Sequence, residues 1–306
     1  MMPNSVDLFF HFVTRSADFP EVFRARHRHW LMQQQRQDGG FAGRSGDSNL
    51  YYTGFGARLC AILWSDVRDP WVAIIRYLST QLATIDSVVD LASAATIYAL
   101  VRVLIDESLA QQVVEPLRHQ AERLFVQLKR ADGGFAKSEH SGFGSTYATF
   151  LALNVMNLLE FPFDDQERIV EFVCSRQRSD GGFAEISHAR QGATNPTAAA
   201  VSILVDLDAL NRIDTTKVAE FLCQLQRDDG GFAAGPFAPV SDLLSTCAAM
   251  SALWILGLSQ GFIDRVKSFV LSLENPEGGF RGNILDDQAD VEYTFYGLAT
   301  LSLLRP

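Results

Sequence analysis

Cysteine is scarce and scattered: Cys60, Cys174, Cys223 and Cys247 are the only four among 306 residues, all in apolar stretches and none in a C-x-x-C spacing. That argues against a disulfide frame and a cysteine-rich zinc site, and points to buried thiols in a reducing compartment. Positive charge is also short. With 26 Lys and Arg against 36 Asp and Glu, the formal net charge is −10. That is the wrong sign for a nucleic-acid partner or an anionic membrane surface. No apolar run approaches the roughly 20 residues of a membrane span. The opening "MMPNSVDLFFHFV" has no basic segment of the kind a signal peptide needs, and the closing "LSLLRP" has no lipidation cysteine. We therefore expect a soluble, cytoplasmic protein with no integral membrane segment.

What the chain has in abundance is one turn. "RQDGGFAGR" (36–44), "RADGGFAKS" (130–138), "RSDGGFAEI" (178–186), "RDDGGFAAG" (227–235) and "NPEGGFRGN" (275–283) repeat the same Gly-Gly-Phe. The acids before the glycines are Asp38, Asp132, Asp180, Asp229 and Glu277. The last four stand 48, 49 and 48 residues apart, and the first gap is 94. A period near 48 marks repeated supersecondary units that cannot bury their apolar faces alone. The long gap then hides a sixth, degenerate unit within residues 72–105, which keeps the helical apolar pattern and has lost its Gly-Gly-Phe.

Each turn is preceded by an amphipathic stretch such as "KVAEFLCQLQ". It is followed by one that is apolar nearly all round, such as "STCAAMSALWIL". The first pattern is a half-exposed helix and the second a helix packed on several sides. Six outer and six inner helices predict a closed all-α ring spanning 1–306 as one domain, with residues 1–20 as an N-terminal extension. The inner helices would run parallel, so that six N-termini meet at one mouth and favour an anion such as a diphosphate. Below that mouth the ring would either enclose an apolar cavity or be filled by its own side chains.

These turns and their period resemble the β subunits of protein prenyltransferases, the Rab geranylgeranyltransferase type above all. More distantly they resemble the class II terpene and squalene–hopene cyclases. The resemblance covers nearly all of the chain after about residue 20 and implies an α/α toroid that handles isoprenoids. It also implies a partner: family β subunits pair with a helical α subunit, so a second protein or a homodimer is expected beside an isoprenoid or other lipid-like small molecule.

Carried over residue by residue, the transferase chemistry is incomplete. The zinc ligands of that family fall on Asp242, Leu244 and Tyr293, and two of these three are unsuited to zinc at neutral pH. The fifth turn, "GGFAAGPFAPVSD", has no Lys or Arg where the family holds its diphosphate. Zinc is therefore not expected. The cyclase motif D-x-D-D-T is matched in part by "DVEYT", which offers Asp290 and Glu292 as candidate acids. Paired carboxyls in an apolar pocket push one pKa up and make a general acid. The ordinary alternative is capping: aligned on Thr149, Thr197, Thr246 and Thr294, the positions four residues earlier include Asp242 and Asp290, with Asp90 as the counterpart in the degenerate unit. Acids there are common N-caps. A third alternative is an oxygen site for Mg²⁺ or Ca²⁺ built from Asp242, Asp290 and Glu292. His188 and Arg190 in the fourth turn are candidates for a substrate's charged group. Tyr51, Tyr52, Tyr147, Tyr293 and Tyr296 would line the mouth, where aromatic faces attract a cation or cradle a prenyl chain. Three readings stay open: an isoprenoid enzyme, a toroid that binds a lipid without chemistry, and a protein-interaction scaffold.

Overall fold

The structure, a computed structural model, describes residues 5–63, 69–163 and 165–305. It begins with α1 (Ser5–Ser16) and continues as six outer–inner helix pairs. These are α2 (Glu21–Gln34) with α3 (Leu50–Leu63), α4 (Asp69–Gln81) with α5 (Val88–Leu104), and α6 (Glu107–Leu128) with α7 (Thr146–Leu158). The last three are α8 (Gln166–Cys174) with α9 (Thr194–Asp206), α10 (Thr215–Gln224) with α11 (Leu243–Ile255), and α12 (Ile263–Ser272) with α13 (Val291–Leu303). Each inner helix packs on the next, and α13 packs on α3, so the ring closes. The fold is an α/α toroid.

The glycine pairs explain how. In the first turn Gly39 has φ +91°, and a Cβ there would stand 2.3 Å from the Ala73 carbonyl oxygen of α4. A Cβ on Gly40 would meet the Tyr77 ring at 3.0 Å. Every Gly-Gly turn repeats this socket for the outer helix of the following unit, against Phe172, Phe221 and Phe269 in turn. The last, Gly278–Gly279, receives Arg26 and Trp30 of α2 and joins end to beginning. The Phe after each pair, at 41, 135, 183, 232 and 280, is fully buried. In the degenerate unit residues 82–87 form a short turn without glycine. There Ile85 is buried and its carbonyl accepts from Arg123 of α6 at 2.6 Å.

A threonine ties each turn to its inner helix. The Phe N–H donates to Thr Oγ1 at 2.9–3.0 Å in five units: Phe41 to Thr53, then to Thr149, Thr197, Thr246 and Thr294. Thr53 lies fifteen residues after its turn acid rather than seventeen, because the first loop is shorter. In the degenerate unit Leu91 takes the threonine's place, its N–H bonding to Ser87 O. This corrects the expectation for Asp90. The cap of α5 is Ser87, whose Oγ accepts from the Asp90 N–H at 3.0 Å and donates to the Asp90 carboxylate at 2.8 Å. Asp90 thus lies three positions after the cap site that Asp242 and Asp290 hold on α11 and α13, and its carboxylate braces the Ser87 cap.

The extension forms α1, with residues 1–4 outside those described. It packs on α13, α3 and α9, helices from opposite sides of the ring, and so lies across it. Ser16 Oγ donates to Ile62 O at the end of α3 at 2.8 Å, and the His11 ring packs at a tilt against Trp254 in the last turn of α11. This is the end opposite the glycine turns. Among the described residues no helix is long and apolar enough to cross a membrane.

Two glycines of the first turn separate backbone strain from close approach. Gly39 and Gly46 have φ +91° and +87°, yet nothing lies within 4 Å of a Cβ on Gly46. Gly46→Ala should cost about 1–2 kcal/mol for its backbone alone. Gly39→Ala should cost about 1–3 kcal/mol more, because the α4 backbone must move. Urea unfolding of both variants checks this, and equal losses would sink the socket account.

Candidate active site

The inner-helix N-termini do meet at one mouth, but three of them are already occupied by carboxylates. Asp242 Oδ1 accepts from the Ser245 N–H at 2.7 Å, and Asp290 Oδ1 from the Tyr293 N–H at 2.9 Å. On α7 the cap is Ser145, and Glu185 reaches over from the next turn to accept its hydroxyl at 2.5 Å and the Tyr147 N–H at 3.3 Å. Lys137 pairs with that same Glu185 at 2.8 Å. The partial positive charge of these ends is spent on the protein's own acids.

Between the first and sixth turns opens a cleft of about 380 Å³, lined by Arg44, Tyr52, Asp286, Asp290, Glu292 and Tyr293 among others. Arg44 organises it. Its Nη1 and Nη2 donate to the two Asp286 oxygens at 3.0 and 2.8 Å, its Nε donates to Asp290 Oδ2 at 3.0 Å, and its guanidinium lies over the Tyr293 ring. The Arg44 hydrogen bonds hold the Asp286 carboxyl below its usual range. Glu292 is treated differently. Burial pushes its pKa up to about 7, and the Asp290 charge adds to that. The hydrogen bond from Tyr51 and the Arg44 charge oppose it without cancelling it. Tyr51 Oη donates to Glu292 Oε1 at 2.5 Å. Two neighbouring carboxyls thus diverge: Asp290 accepts a helix N–H and a guanidinium, while Glu292 accepts a neutral phenol.

Behind Glu292 the wall becomes aromatic. Tyr51, Phe55, Phe295 and Tyr296 form a chain of edge-on and tilted rings with centroids 5.1–5.6 Å apart. Burial raises the phenol pKa of Tyr51, Tyr147 and Tyr296, and the Glu292 charge acts on all three. Arg58, one α3 turn beyond Phe55, sits over Phe55 and Phe295.

The structure thus brings Tyr52, Asp290, Glu292 and Tyr293 to one cleft, with Tyr51 hydrogen-bonded to Glu292 behind it and Tyr147 and Tyr296 within electrostatic reach. It does not bring in the others. His188 and Arg190 are exposed in the fourth-turn loop, His188 against Phe143 and Ser187. Asp242 caps α11 and lines neither this cleft nor its smaller neighbour. No three of the His, Cys, Asp and Glu side chains gather as a metal-holding group among the described residues. The zinc positions carry Leu244 and Tyr293, which do not fit that ion. Sequence reasoning missed Arg58 and Asp286. The signal for Arg58 was there: it is the one charge in "LYYTGFGARLCAIL", a helix otherwise apolar all round.

The profile of the prenyltransferase alpha-alpha toroid domain matches residues 10–195 and 147–306. No curated protein matches the chain in sequence. Among solved structures, the type II terpene cyclase MstE from Scytonema, bound to its substrate geranylgeranyl dihydroxybenzoate, is similar with TM-score 0.61 and 12% identity over 96% of this chain and 98% of that one. A protein from Actinoplanes gives TM-score 0.64 and 14% identity over 93% and 98%. Candida albicans protein geranylgeranyltransferase-I, complexed with GGPP, gives TM-score 0.52 and 15% identity over 68% and 82%. Such identities speak for the fold alone. Ring, repeat and profile agree, and the chain belongs to the prenyltransferase alpha-alpha toroid domain family.

Proposed function

We propose that this chain is an isoprenoid-handling enzyme of the cyclase type, with Glu292 as the acid that protonates an alkene at the top of the ring. The observation that carries the reading is the contrast within one pair: Asp290 held by Arg44 and a helix N–H, Glu292 raised to about 7 between a polar cleft and an aromatic wall. A carboxyl that keeps its proton near neutral pH is a donor. Proton transfer to a terminal double bond leaves a carbocation. The next double bond attacks it and closes a ring, and loss of a proton elsewhere makes the net change an isomerisation. The faces of Tyr51, Phe55, Phe295 and Tyr296 supply electron-rich surface for the cation. The Asp290 charge beside Glu292 favours the protonated form of Glu292.

The Scytonema cyclase takes a geranylgeranyl-bearing substrate, and the reading extends a polyene of that class to this chain. A free diphosphate has less support. Asp286, Asp290 and Glu292 face the cleft, and Arg44 is engaged by two of them. No step is assigned to zinc or Mg²⁺, since Leu244 and Tyr293 cannot supply the missing zinc ligands and Asp242 caps its own helix.

Incubation with geranylgeranyl-bearing polyenes and product analysis by mass spectrometry and NMR tests the assignment. Glu292→Gln should lower turnover by about 10²–10⁴-fold. Because the acid must be protonated, kcat/KM should fall above about pH 7. Tyr51 donates to the carboxylate form and lowers that pKa, so Tyr51→Phe should move the falling limb to higher pH. An unchanged limb would remove Tyr51 from the role. Full turnover in Glu292→Gln would reject the acid, and loss of turnover on chelation would return zinc-dependent prenyl transfer.

Stability gives a readout independent of substrate. A carboxyl raised from 4.5 to about 7 on folding weakens the folded state as pH rises between those values. The loss is on the order of 3 kcal/mol at most, at about 1.4 kcal/mol per pH unit. Glu292→Gln should therefore unfold like the parent at pH 4 and be more stable than it at pH 8. Denaturant titration at both pH values checks the sign.

A further inference from the structure

The ring interior contains a cation with no anionic partner among the described residues. Arg58 lies seven residues after Tyr51, on the same face of α3. Its Nη2 donates to Thr96 Oγ1 of α5 at 3.0 Å, and its guanidinium lies 5.3 and 5.8 Å from the ring centres of Phe55 and Phe295. That engages one of five N–H donors. The charge-bearing groups that act on it are the phenols of Tyr51, Tyr147 and Tyr296, and no carboxylate is among them. Arg44, Arg102, Arg176 and Arg212, in contrast, each face an acid. Burial accordingly pulls the Arg58 pKa down. Although enclosed, Arg58, Tyr147 and Tyr296 each keep part of their surface accessible. Accessible surface at this depth is space inside the ring, and unengaged guanidinium donors face it.

We propose that Arg58 anchors an interior subsite for a singly charged carboxylate carried on an apolar chain. A planar guanidinium pairs with a carboxylate through two parallel hydrogen bonds, and the Tyr147 and Tyr296 phenols act electrostatically on this one. One guanidinium neutralises one charge. A diphosphate would leave excess negative charge desolvated in an aromatic ring, which is costly. The subsite rests on the reading that the ring holds an isoprenoid, and it deepens that reading. Arg58 lies about 10 Å beyond Tyr51 along α3, at 1.5 Å per residue. The polar end is therefore held deep, and the chain runs back toward Glu292.

Binding of geranylgeranoic acid, geranylgeraniol and geranylgeranyl diphosphate to the full chain at pH 8, followed by calorimetry or native mass spectrometry, tests this. The acid should bind about tenfold or more tighter than the alcohol, as expected for a hydrogen-bonded charge. Arg58→Met should remove that preference and leave alcohol binding in place, and Arg58→Lys should keep part of it. Equal binding of acid and alcohol by the unmodified chain overturns the subsite while leaving the isoprenoid reading standing. That comparison needs no variant, so a folding failure cannot obscure it. A preference that survives in Arg58→Met, or a diphosphate bound tightest through Arg58, overturns it as well. Failure of all three probes to bind sinks the subsite and the isoprenoid reading together.

Discussion

The ring is built on the close approach of each glycine turn to the backbone of the outer helix that follows it. With 2.3–2.9 Å from a hypothetical Cβ to the helix carbonyl oxygen, no residue with a side chain fits at Gly39, Gly133, Gly181, Gly230 or Gly278. The second glycine then lets an aromatic of that helix lie flat against the turn. Each unit thus carries the socket for the next, and the spacing between neighbours is fixed by contact rather than by loop length. Six such steps return α2 to the last turn, where Arg26 and Trp30 fill the socket. The degenerate unit shows what the contact can tolerate: Ile85 and an Arg123 hydrogen bond hold a turn that has lost both glycines. Because the sockets all lie at one end, so do the inner-helix N-termini and every loop that borders the mouth.

Electrostatics at that mouth follow from how few cations it has. Arg44 is shared between Asp286 and Asp290, and geometry decides which carboxyl goes without. Asp286 takes the bidentate pair and Asp290 the remaining Nε–H plus the helix N–H. Glu292 sits one residue inside α13, where the remaining donor is a phenol that gives up its own proton reluctantly because it too is buried. The raised pKa of Glu292 is thus a consequence of allocation: charge compensation is used up on its neighbours. A second free cation at the rim would ionise Glu292 and end its capacity to donate. The acidic composition of the chain and the chemistry proposed for the site are in this sense one property.

The repeat, the two helix types, ring closure and the buried Phe were legible because contact-driven repetition writes itself into sequence as a fixed period. Offsets within a unit were less secure. Counting seventeen residues from the turn acid found four threonines and passed over Thr53, since the first loop is shorter. The same counting put the cap at Asp90, three positions after Ser87, which does the capping. At the site, Asp290 and Glu292 could be singled out from a partial motif, but which keeps a proton depended on Arg44 and Tyr51, some 240 residues away in the chain. Such long-range pairings leave no local pattern. The idea of six free helix ends failed to count the acids that already cap them. Asp242 was visible in the sequence as a cap; Glu185 was not, because it caps a helix of the preceding unit.

Glu292 and Arg58 raise a question of coexistence. An acid with a raised pKa and an unpaired guanidinium inside one low-dielectric ring would ordinarily find each other, and pairing would cost the acid its proton. Phe55 prevents this. It lies one α3 turn from each of Tyr51 and Arg58, its ring 5.1 Å from that of Tyr51 and 5.3 Å from the Arg58 guanidinium carbon. Along α3 it stands between the cation and Tyr51, which holds the carboxyl, and its face, with that of Phe295, compensates part of the Arg58 charge. The two groups therefore sit in one ring without neutralising each other. Each is left to meet a different part of a bound molecule. At the far end α1 crosses from α3 to α9, where Phe12 meets Phe295 and Ser16 bonds to Ile62 O. An acid at the rim and a cation in the depth would impose a direction on a bound molecule. That direction is set by the order Tyr51, Phe55, Arg58 along a single helix.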